Sequence, residues 1–165
     1  MKVIDNFLDD EYFKSIQNYM MSPEIKWSFT DGINRPDDDN YQFVSMIYDD
    51  VDLYFMGTPH PFFQFMESLL HTLHVDLKKL IRIKANLNPK TIEHEHGGFH
   101  IDYKDVITSI FYINTNNGWT NFKNGDRVES VENRMVIFDS NLEHEGVTCT
   151  DEKRRVVINF NYVPA

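Results

Sequence analysis

The segment KLIRIKANL, residues 79–87, decides the fold of the second half of the chain. From Ile81 to Leu87 apolar residues alternate with polar ones. Successive side chains of a strand point to opposite faces of a sheet, so this alternation predicts a strand with one buried face.

Five further segments have the composition of strands: DVITSIFYIN (105–114), WTNF (119–122), DRVESV (126–131), RMVIF (134–138) and RRVVINFNYV (154–163). Turn signals such as Asn116-Asn117-Gly118 and Asn124-Gly125-Asp126 separate them. Six short strands in succession indicate an antiparallel sandwich or barrel.

The first part of the chain has the pattern of helices. Asp9 or Asp10 is suited to cap a helix over EYFKSIQNYMM (11–21). Pro61 is suited to begin a second helix through FFQFMESLLHTLH (62–74). The predicted fold class is therefore mainly β with N-terminal helices packed against the strands.

Composition limits the possible functions. The 165 residues suit a single domain, and the formal net charge of −10 disfavours binding to nucleic acid or to an anionic membrane. No apolar run approaches the ~20 residues of a membrane span, and the N-terminus lacks a signal sequence, so we expect a soluble, cytoplasmic protein. Cys149 is the only cysteine, which excludes an intrachain disulfide and a thiolate zinc site.

Metal-capable side chains are concentrated in HEHGGFHIDYKDV, residues 94–106. His100 and Asp102 lie two residues apart at the entrance to a predicted strand, so both can reach one ion. His144, the only histidine after residue 100, can supply a third ligand. Two histidines and a carboxylate form the facial triad of non-haem Fe(II) oxygenases.

Alternative ligands remain open at this stage. A zinc site built from His96, His100 and His144 is conceivable, although His94 and His96 are more simply interpreted as solvated loop residues. The triplet His74-Val75-Asp76 has the same spacing as the first pair. It falls at the end of the second predicted helix, where side chains two residues apart diverge by about 200°, and we reject it as a chelating pair.

An arginine is the natural partner for the carboxylate of an organic co-substrate. Arg154 and Arg155 begin the last predicted strand, and only one of two adjacent strand residues can face inward. The pattern Arg-Val-Val-Ile-Asn-Phe-Asn favours Arg155.

Three segments together resemble the Fe(II)- and 2-oxoglutarate-dependent dioxygenases, in particular the short prolyl-4-hydroxylase-like group. These segments are FHIDY (99–103), GWTNFKNGDRVESVENRMVIFDSNLEHEG (118–146) and KRRVVINFNYV (153–163). The resemblance implies a double-stranded β-helix, or jelly roll, over residues 79–165. Residues 1–78 would then form a helical N-terminal part and a lid loop within the same single domain. Some members of the group are encoded by bacteriophages and are made in the host cytoplasm.

The resemblance also implies roles for individual residues. His100, Asp102 and His144 would be the iron ligands, and Arg155 or Arg154 would bind 2-oxoglutarate. The spacing from the distal histidine in prolyl hydroxylases favours Arg154, whereas the strand pattern favours Arg155, which we prefer. Asn86 and Tyr112 are candidates for further contacts to this co-substrate. Many relatives have a Gly-Gly pair where this chain has Gly118-Trp119, and we expect Trp119 to cover a sheet face.

The implied reaction uses O₂ and 2-oxoglutarate to hydroxylate a C–H bond, and it releases succinate and CO₂. A peptide, for example one with a prolyl residue, and a small molecule both fit as substrate. An acidic lid over residues 30–60 would favour neutral or cationic substrates. The alternatives are a nucleic-acid demethylase on the same scaffold and a noncatalytic jelly-roll metal-binding module.

Overall fold

The computed structural model describes residues 1–33, 40–50, 71 and 77–164. The helix and strands of these ranges are β1 (Lys2–Ile4), α1 (Asp10–Met21), β2 (Ser28–Asp31), β3 (Tyr41–Asp49), β4 (Leu77–Pro89), β5 (Ile107–Tyr112), β6 (Trp119–Phe122), β7 (Arg127–Glu129), β8 (Arg134–Asp139), β9 (His144–Val147) and β10 (Arg154–Pro164). The protein is thus mainly β, as the strand patterns predict. The six predicted strands correspond to β4, β5, β6, β7, β8 and β10.

The strands form two antiparallel sheets. The larger sheet has the order β1-β8-β5-β10-β4-β3-β2, and the smaller has the order β7-β6-β9. Isolated bridges between His96 and Val147 and between His100 and His144 extend the smaller sheet beyond β9. The two sheets face each other across a second hydrophobic cluster that includes Tyr112, Phe122 and Phe138.

The main hydrophobic core lies on the other face of the larger sheet. Alternate residues of β4 and β10 supply this face, for example Ile83 and Ile158, and α1 covers it with Phe13, Ile16 and Met20. The helix begins as its sequence predicts, because the Asp9 carboxylate accepts a hydrogen bond from the backbone amide of Tyr12 at 3.0 Å. In the described ranges, no helix is both long enough and apolar enough to cross a membrane.

Two predictions are corrected. β2 and β3 are strands of the larger sheet, although residues 30–60 were expected to form a loop. Ile47 of β3 is buried in the core under α1, which explains why this segment pairs with β4. The six predicted strands also omit β9, which begins at His144 and pairs with β6. The second predicted helix and the His74-Val75-Asp76 triplet lie outside the described residues.

Candidate active site

A cavity of about 250 Å³ lies between the two sheets. β4 and β10 pair so that residues directly opposite each other point to the same face of the sheet. The face towards the cavity carries three such pairs: Arg82 with Asn161, Lys84 with Asn159, and Asn88 with Arg155. The side chains from these two strands that line it are Arg82, Lys84, Asn86, Asn88, Arg155, Val157 and Asn159. The cavity is therefore mostly polar, although it lies inside a β-sandwich.

His100 and His144 lie side by side at this cavity, because the segments that carry them are hydrogen-bonded. Each backbone amide donates to the carbonyl of the other residue at 3.0 Å, and the ring centroids are 4.6 Å apart. The Nδ1 atom of His100 is 3.0 Å from the carbonyl oxygen of Gly98. A carbonyl only accepts, so Nδ1 carries the proton and the lone pair of Nε2 is available to a metal.

Asp102 is held by two side chains of the larger sheet. Its Oδ1 lies 2.9 Å from Nη2 of Arg82, and its Oδ2 is 3.4 Å from Nδ2 of Asn161. Arg82 also donates from Nε to Oδ1 of Asn161 at 3.1 Å, and its guanidinium lies 5.0 Å from the ring centroid of Tyr103. The network fixes the carboxylate on the side of the cavity that faces the two imidazoles.

The charges of the cavity determine how these groups titrate. Burial by itself would raise the pKa of Asp102, but Arg82, His144, Lys84 and His100 lower that pKa to about 2. Burial, together with the charges of His100 and Lys84, lowers the pKa of His144 to about 4. At neutral pH the site therefore presents a carboxylate and a neutral imidazole, the protonation states that metal binding requires.

These donors fit a divalent metal ion. His100 Nε2 is 3.8 Å from Asp102 Oδ1, and the Nδ1 atom of His144 is buried without a hydrogen-bond partner among the described residues. Among the described residues, no group of three or more histidine, cysteine, aspartate or glutamate side chains has the spacing of a formed metal site. The donor set of two imidazole nitrogens and one carboxylate oxygen is nevertheless that of the facial triad.

Arg155 lies fully buried at another part of the cavity lining. Its Nε donates to the hydroxyl of Ser130 at 2.9 Å, and its Nη2 donates to the hydroxyl of Thr120 at 3.1 Å. Tyr112 donates to the same Thr120 oxygen at 2.7 Å, and its ring centroid is 5.7 Å from the guanidinium carbon. The hydroxyls of Ser130 and Thr120, the second of which is itself bonded by Tyr112, thus orient the Arg155 guanidinium. Among the described residues, this guanidinium has no carboxylate partner.

Gly118 makes room for Arg155. A Cβ atom at position 118 would lie 2.9 Å from Cδ of Arg155 and 2.7 Å from the carbonyl oxygen of Val147. Both distances are shorter than nonbonded contacts allow. Glycine is therefore required here by the close approach of the Val147 backbone and of the Arg155 side chain.

Arg154 points to the opposite face of the sheet, as expected for adjacent strand residues. Its Nη2 donates to the carbonyl oxygen of Met21 at the end of α1 at 2.8 Å. Of the two arginines that the sequence offers for an organic acid, only Arg155 lines the cavity.

No family model matches the sequence, and no curated protein matches it. Solved structures do match in fold. A prolyl-4-hydroxylase of Pseudomonas putida covers 98% of this chain, with 91% of its own length covered, 15% identity and a TM-score of 0.61. This chain has the fold of the prolyl hydroxylases.

Two further structures have the same fold. One is a prolyl hydroxylase of Trichoplax adhaerens in complex with a peptide fragment of the hypoxia inducible factor oxygen degradation domain. The match covers 98% of this chain and 82% of that protein, with 16% identity and a TM-score of 0.63. A 2OG-Fe(II) oxygenase family oxidoreductase of Burkholderia pseudomallei covers 98%, has 84% of its length covered, and has 11% identity and a TM-score of 0.58.

Within the prolyl hydroxylase fold, the structure brings together most of the residues that the sequence singles out. His100, Asp102, His144, Asn86 and Arg155 all line the cavity. Tyr112 is fully buried and is not among the lining residues, but it contacts two residues that are, Thr120 and Arg155.

His94 and His96 lie away from the cavity, on the outer side of the smaller sheet. His94 Nδ1 is 2.8 Å from the carbonyl oxygen of Thr148, and His96 Nδ1 is 2.7 Å from Oε1 of Glu145. The His94 ring centroid is 4.6 Å from that of Trp119, and the guanidinium carbon of Arg127 lies 3.6 Å from the same indole ring. Trp119 thus covers a sheet face, and the zinc alternative with His96 has no geometric support.

Several residues of the cavity were not predicted from the sequence. They are Arg82, Lys84, Asn88, Thr120 and Asn159. The alternation in KLIRIKANL locates the polar face of β4, but it does not show that this face lines a cavity. The two asparagines in RRVVINFNYV are one further signal of a polar cavity. A strand that is covered on both faces is normally apolar throughout, so polar residues in it indicate a polar site.

The low pKa of His144 predicts a pH-dependent stability. In the unfolded chain His144 takes up a proton near pH 6.5, whereas in the folded protein it does so near pH 4. The unfolded state therefore binds this proton more tightly. As a result, the free energy of unfolding is highest above pH 6.5 and decreases as the pH falls to 4. The metal-free protein should lose about 3 kcal/mol of unfolding free energy over this range through this group. Urea unfolding at pH 7 and pH 4.5 measures the loss, and His144→Gln should show a smaller pH dependence. Equal pH dependence in both proteins would contradict the assignment.

Proposed function

We propose that this protein is an Fe(II)- and 2-oxoglutarate-dependent oxygenase that hydroxylates a C–H bond and releases succinate and CO₂. The observation that carries this proposal is one cavity lined by His100, Asp102, His144 and the buried cation Arg155. The prolyl hydroxylase fold supports it, because the solved structures with this fold include oxygenases that their descriptions assign to the 2OG-Fe(II) family.

His100, Asp102 and His144 would hold the iron, in the jelly-roll arrangement that the sequence resemblance implies. A ferrous ion with three protein ligands keeps open coordination positions and supplies the activation of O₂. The chain's own contribution is to fix the ligands. Gly98 sets the tautomer of His100, and Arg82 with Asn161 orients Asp102.

Arg155 would bind the distal carboxylate of 2-oxoglutarate. Its guanidinium is held by Ser130 and Thr120, so little side-chain entropy is lost when an anion binds. A buried cation without a carboxylate partner gains a strong, charge-assisted interaction from a bound acid. Asn86 also lines the cavity, and its side-chain amide nitrogen would donate a second hydrogen bond to this co-substrate.

A peptide, including one with a prolyl residue, is one class of primary substrate under this proposal. Its support is the Trichoplax prolyl hydroxylase of the same fold, which is described with a bound peptide. The test of the general function is anaerobic titration with Fe(II) and 2-oxoglutarate, followed by measurement of succinate on admission of O₂. The proposal expects a weak visible charge-transfer band and slow succinate release without substrate. Neither signal should appear in a double variant His100→Ala, His144→Ala, and their absence from the wild type contradicts the function.

The two adjacent arginines provide a matched pair for testing the co-substrate site. Arg155→Met should weaken 2-oxoglutarate binding on the order of 100-fold, because a buried charge-assisted contact is lost. Arg154→Met removes an equal charge on the other sheet face and should change this affinity less than about twofold. Calorimetric titration of the anaerobic Fe(II) proteins measures both, with circular dichroism to confirm folding. A larger loss in the Arg154 variant would reverse the assignment.

Arg82 should contribute to metal affinity through Asp102. Arg82→Met leaves the carboxylate without its main cationic neighbour, so Fe(II) binding is expected to weaken roughly 10- to 100-fold. The loss should be greater at pH 6 than at pH 8, because protons compete better for a carboxylate of higher pKa. Arg127→Met, which removes an arginine from the outer side of the smaller sheet, is the control. Unchanged metal affinity in Arg82→Met would show that Asp102 is not a ligand.

Gly118→Ala should displace the Arg155 side chain, because its new Cβ would overlap Cδ of that residue. We expect 2-oxoglutarate affinity to fall at least about tenfold, which corresponds to about 1.4 kcal/mol. Gly125→Ala is the control, since Gly125 has φ of 93° with open space around it. That variant should lower the melting temperature through backbone strain alone and keep its co-substrate affinity. Equal loss of affinity in both variants would mean that Gly118 acts only through stability.

A further inference from the structure

The cavity carries more positive charge than the proposed metal and co-substrate sites use. Among the described residues that line it, Arg82, Lys84 and Arg155 are cationic and only Asp102 is a carboxylate. A divalent metal adds two positive charges, and dianionic 2-oxoglutarate removes two. The cavity with both bound therefore keeps an uncompensated positive charge, in a chain whose formal net charge is −10.

Lys84 is the cation that remains without a partner. Arg82 pairs with Asp102, and Arg155 is assigned to the co-substrate. In the described ranges, Lys84 makes no hydrogen bond and no ion pair, although its side chain lines the cavity and its charge lowers the pKa of both Asp102 and His144. The ammonium group thus lies near the candidate metal ligands. Lys84 is half-buried, and an ammonium group in this position that has no carboxylate partner gains a charge-assisted interaction when an anion binds.

Two unpartnered amide oxygens flank Lys84. Asn159 is its cross-strand partner in β10, and Asn86 follows it on the same face of β4. The Oδ1 atoms of both asparagines are buried and have no hydrogen-bond partner. Such acceptors are satisfied by a ligand that carries N–H or O–H groups. The group of three side chains therefore has the chemistry to bind a carboxylate with a neighbouring hydrogen-bond donor.

This anion site is separate from Arg155. Asn159 lies four positions after Arg155 in β10, so their Cα atoms are roughly 13 Å apart. If Arg155 binds the distal carboxylate of 2-oxoglutarate, Lys84 is available to a different ligand.

We infer that Lys84 binds a carboxylate of the primary substrate, with Asn86 and Asn159 accepting hydrogen bonds from an adjacent amino, amide or hydroxyl group. This inference rests on the proposed function and narrows its substrate class to carboxylic acids. It differs from the expectation based on an acidic lid over residues 30–60, which would favour neutral or cationic substrates. The cavity volume of about 250 Å³ lies below the usual range for small-molecule sites, and the same cavity would also hold 2-oxoglutarate, which favours a small free acid over the acidic side chain of a peptide.

The test compares acids with their matched amides. Wild-type protein loaded anaerobically with Fe(II) and 2-oxoglutarate is titrated calorimetrically with free L-α-amino acids and with the corresponding carboxamides. A peptide arm uses acetyl-Pro-Glu-amide against acetyl-Pro-Gln-amide. We expect at least one acid to bind about tenfold or more tightly than its amide, as for a charge-assisted contact. The arm in which this preference appears identifies the source of the carboxylate.

Variants then assign the preference to Lys84. Lys84→Met should abolish it, and Lys84→Arg should retain most of it. Lys79→Met removes an exposed lysine from the same strand, where it pairs with Asp50, and should leave the preference intact. The inference is overturned if no acid binds more tightly than its amide, or if Lys84→Met weakens 2-oxoglutarate binding as much as acid binding. The wild-type protein still shows the visible band with Fe(II) and 2-oxoglutarate in either case, so these results are distinct from a failure of the proposed function.

Discussion

The pairing of β4 with β10 separates an apolar face from a polar one along both strands. Ile83 and Ile158 belong to the face that packs against α1, whereas Arg82 and Arg155 belong to the face that lines the cavity. A shift of the pairing by one residue would exchange the two faces, placing charged groups under the helix and leaving the cavity apolar. Packing of Phe13, Ile16 and Met20 against the apolar face therefore also determines which side chains face the candidate metal ligands. The stability of the core and the composition of the site depend on the same register.

The charged side chains of the cavity interact strongly because the two sheets shield them from water. Removed from water, the guanidinium of Arg82 and the carboxylate of Asp102 interact strongly, and this interaction holds the pKa of Asp102 well below its usual range. Arg155 relies on hydroxyl groups instead of a carboxylate, which leaves its charge available for a ligand. A net acidic chain thus contains a cavity whose charged lining residues, among those the structure describes, are mostly cationic. This local arrangement is a better guide to the ligand than the net charge of −10.

The sequence predicted the strands and the helix cap well, because both depend on local patterns. Alternation over residues 79–87 and the aspartate before EYF each determine their structure within a few residues. It also identified His100, Asp102, His144 and Arg155, all of which line one cavity. It failed for β3 and β9, whose pairing depends on distant strands. Lys84 was missed for a related reason: the polar face of a strand reads as solvent-exposed until the sheet that covers it is known.

The central claim is that His100, Asp102 and His144 bind one metal ion in the cavity between the sheets. The most direct measurement is anomalous diffraction from crystals grown anaerobically with Fe(II), with data collected on both sides of the iron absorption edge. The account predicts one iron peak at roughly 2 Å from an imidazole nitrogen of each histidine and from a carboxylate oxygen of Asp102. An iron peak beside His94 and His96 on the outer side of the smaller sheet, or no peak in the cavity, would contradict it.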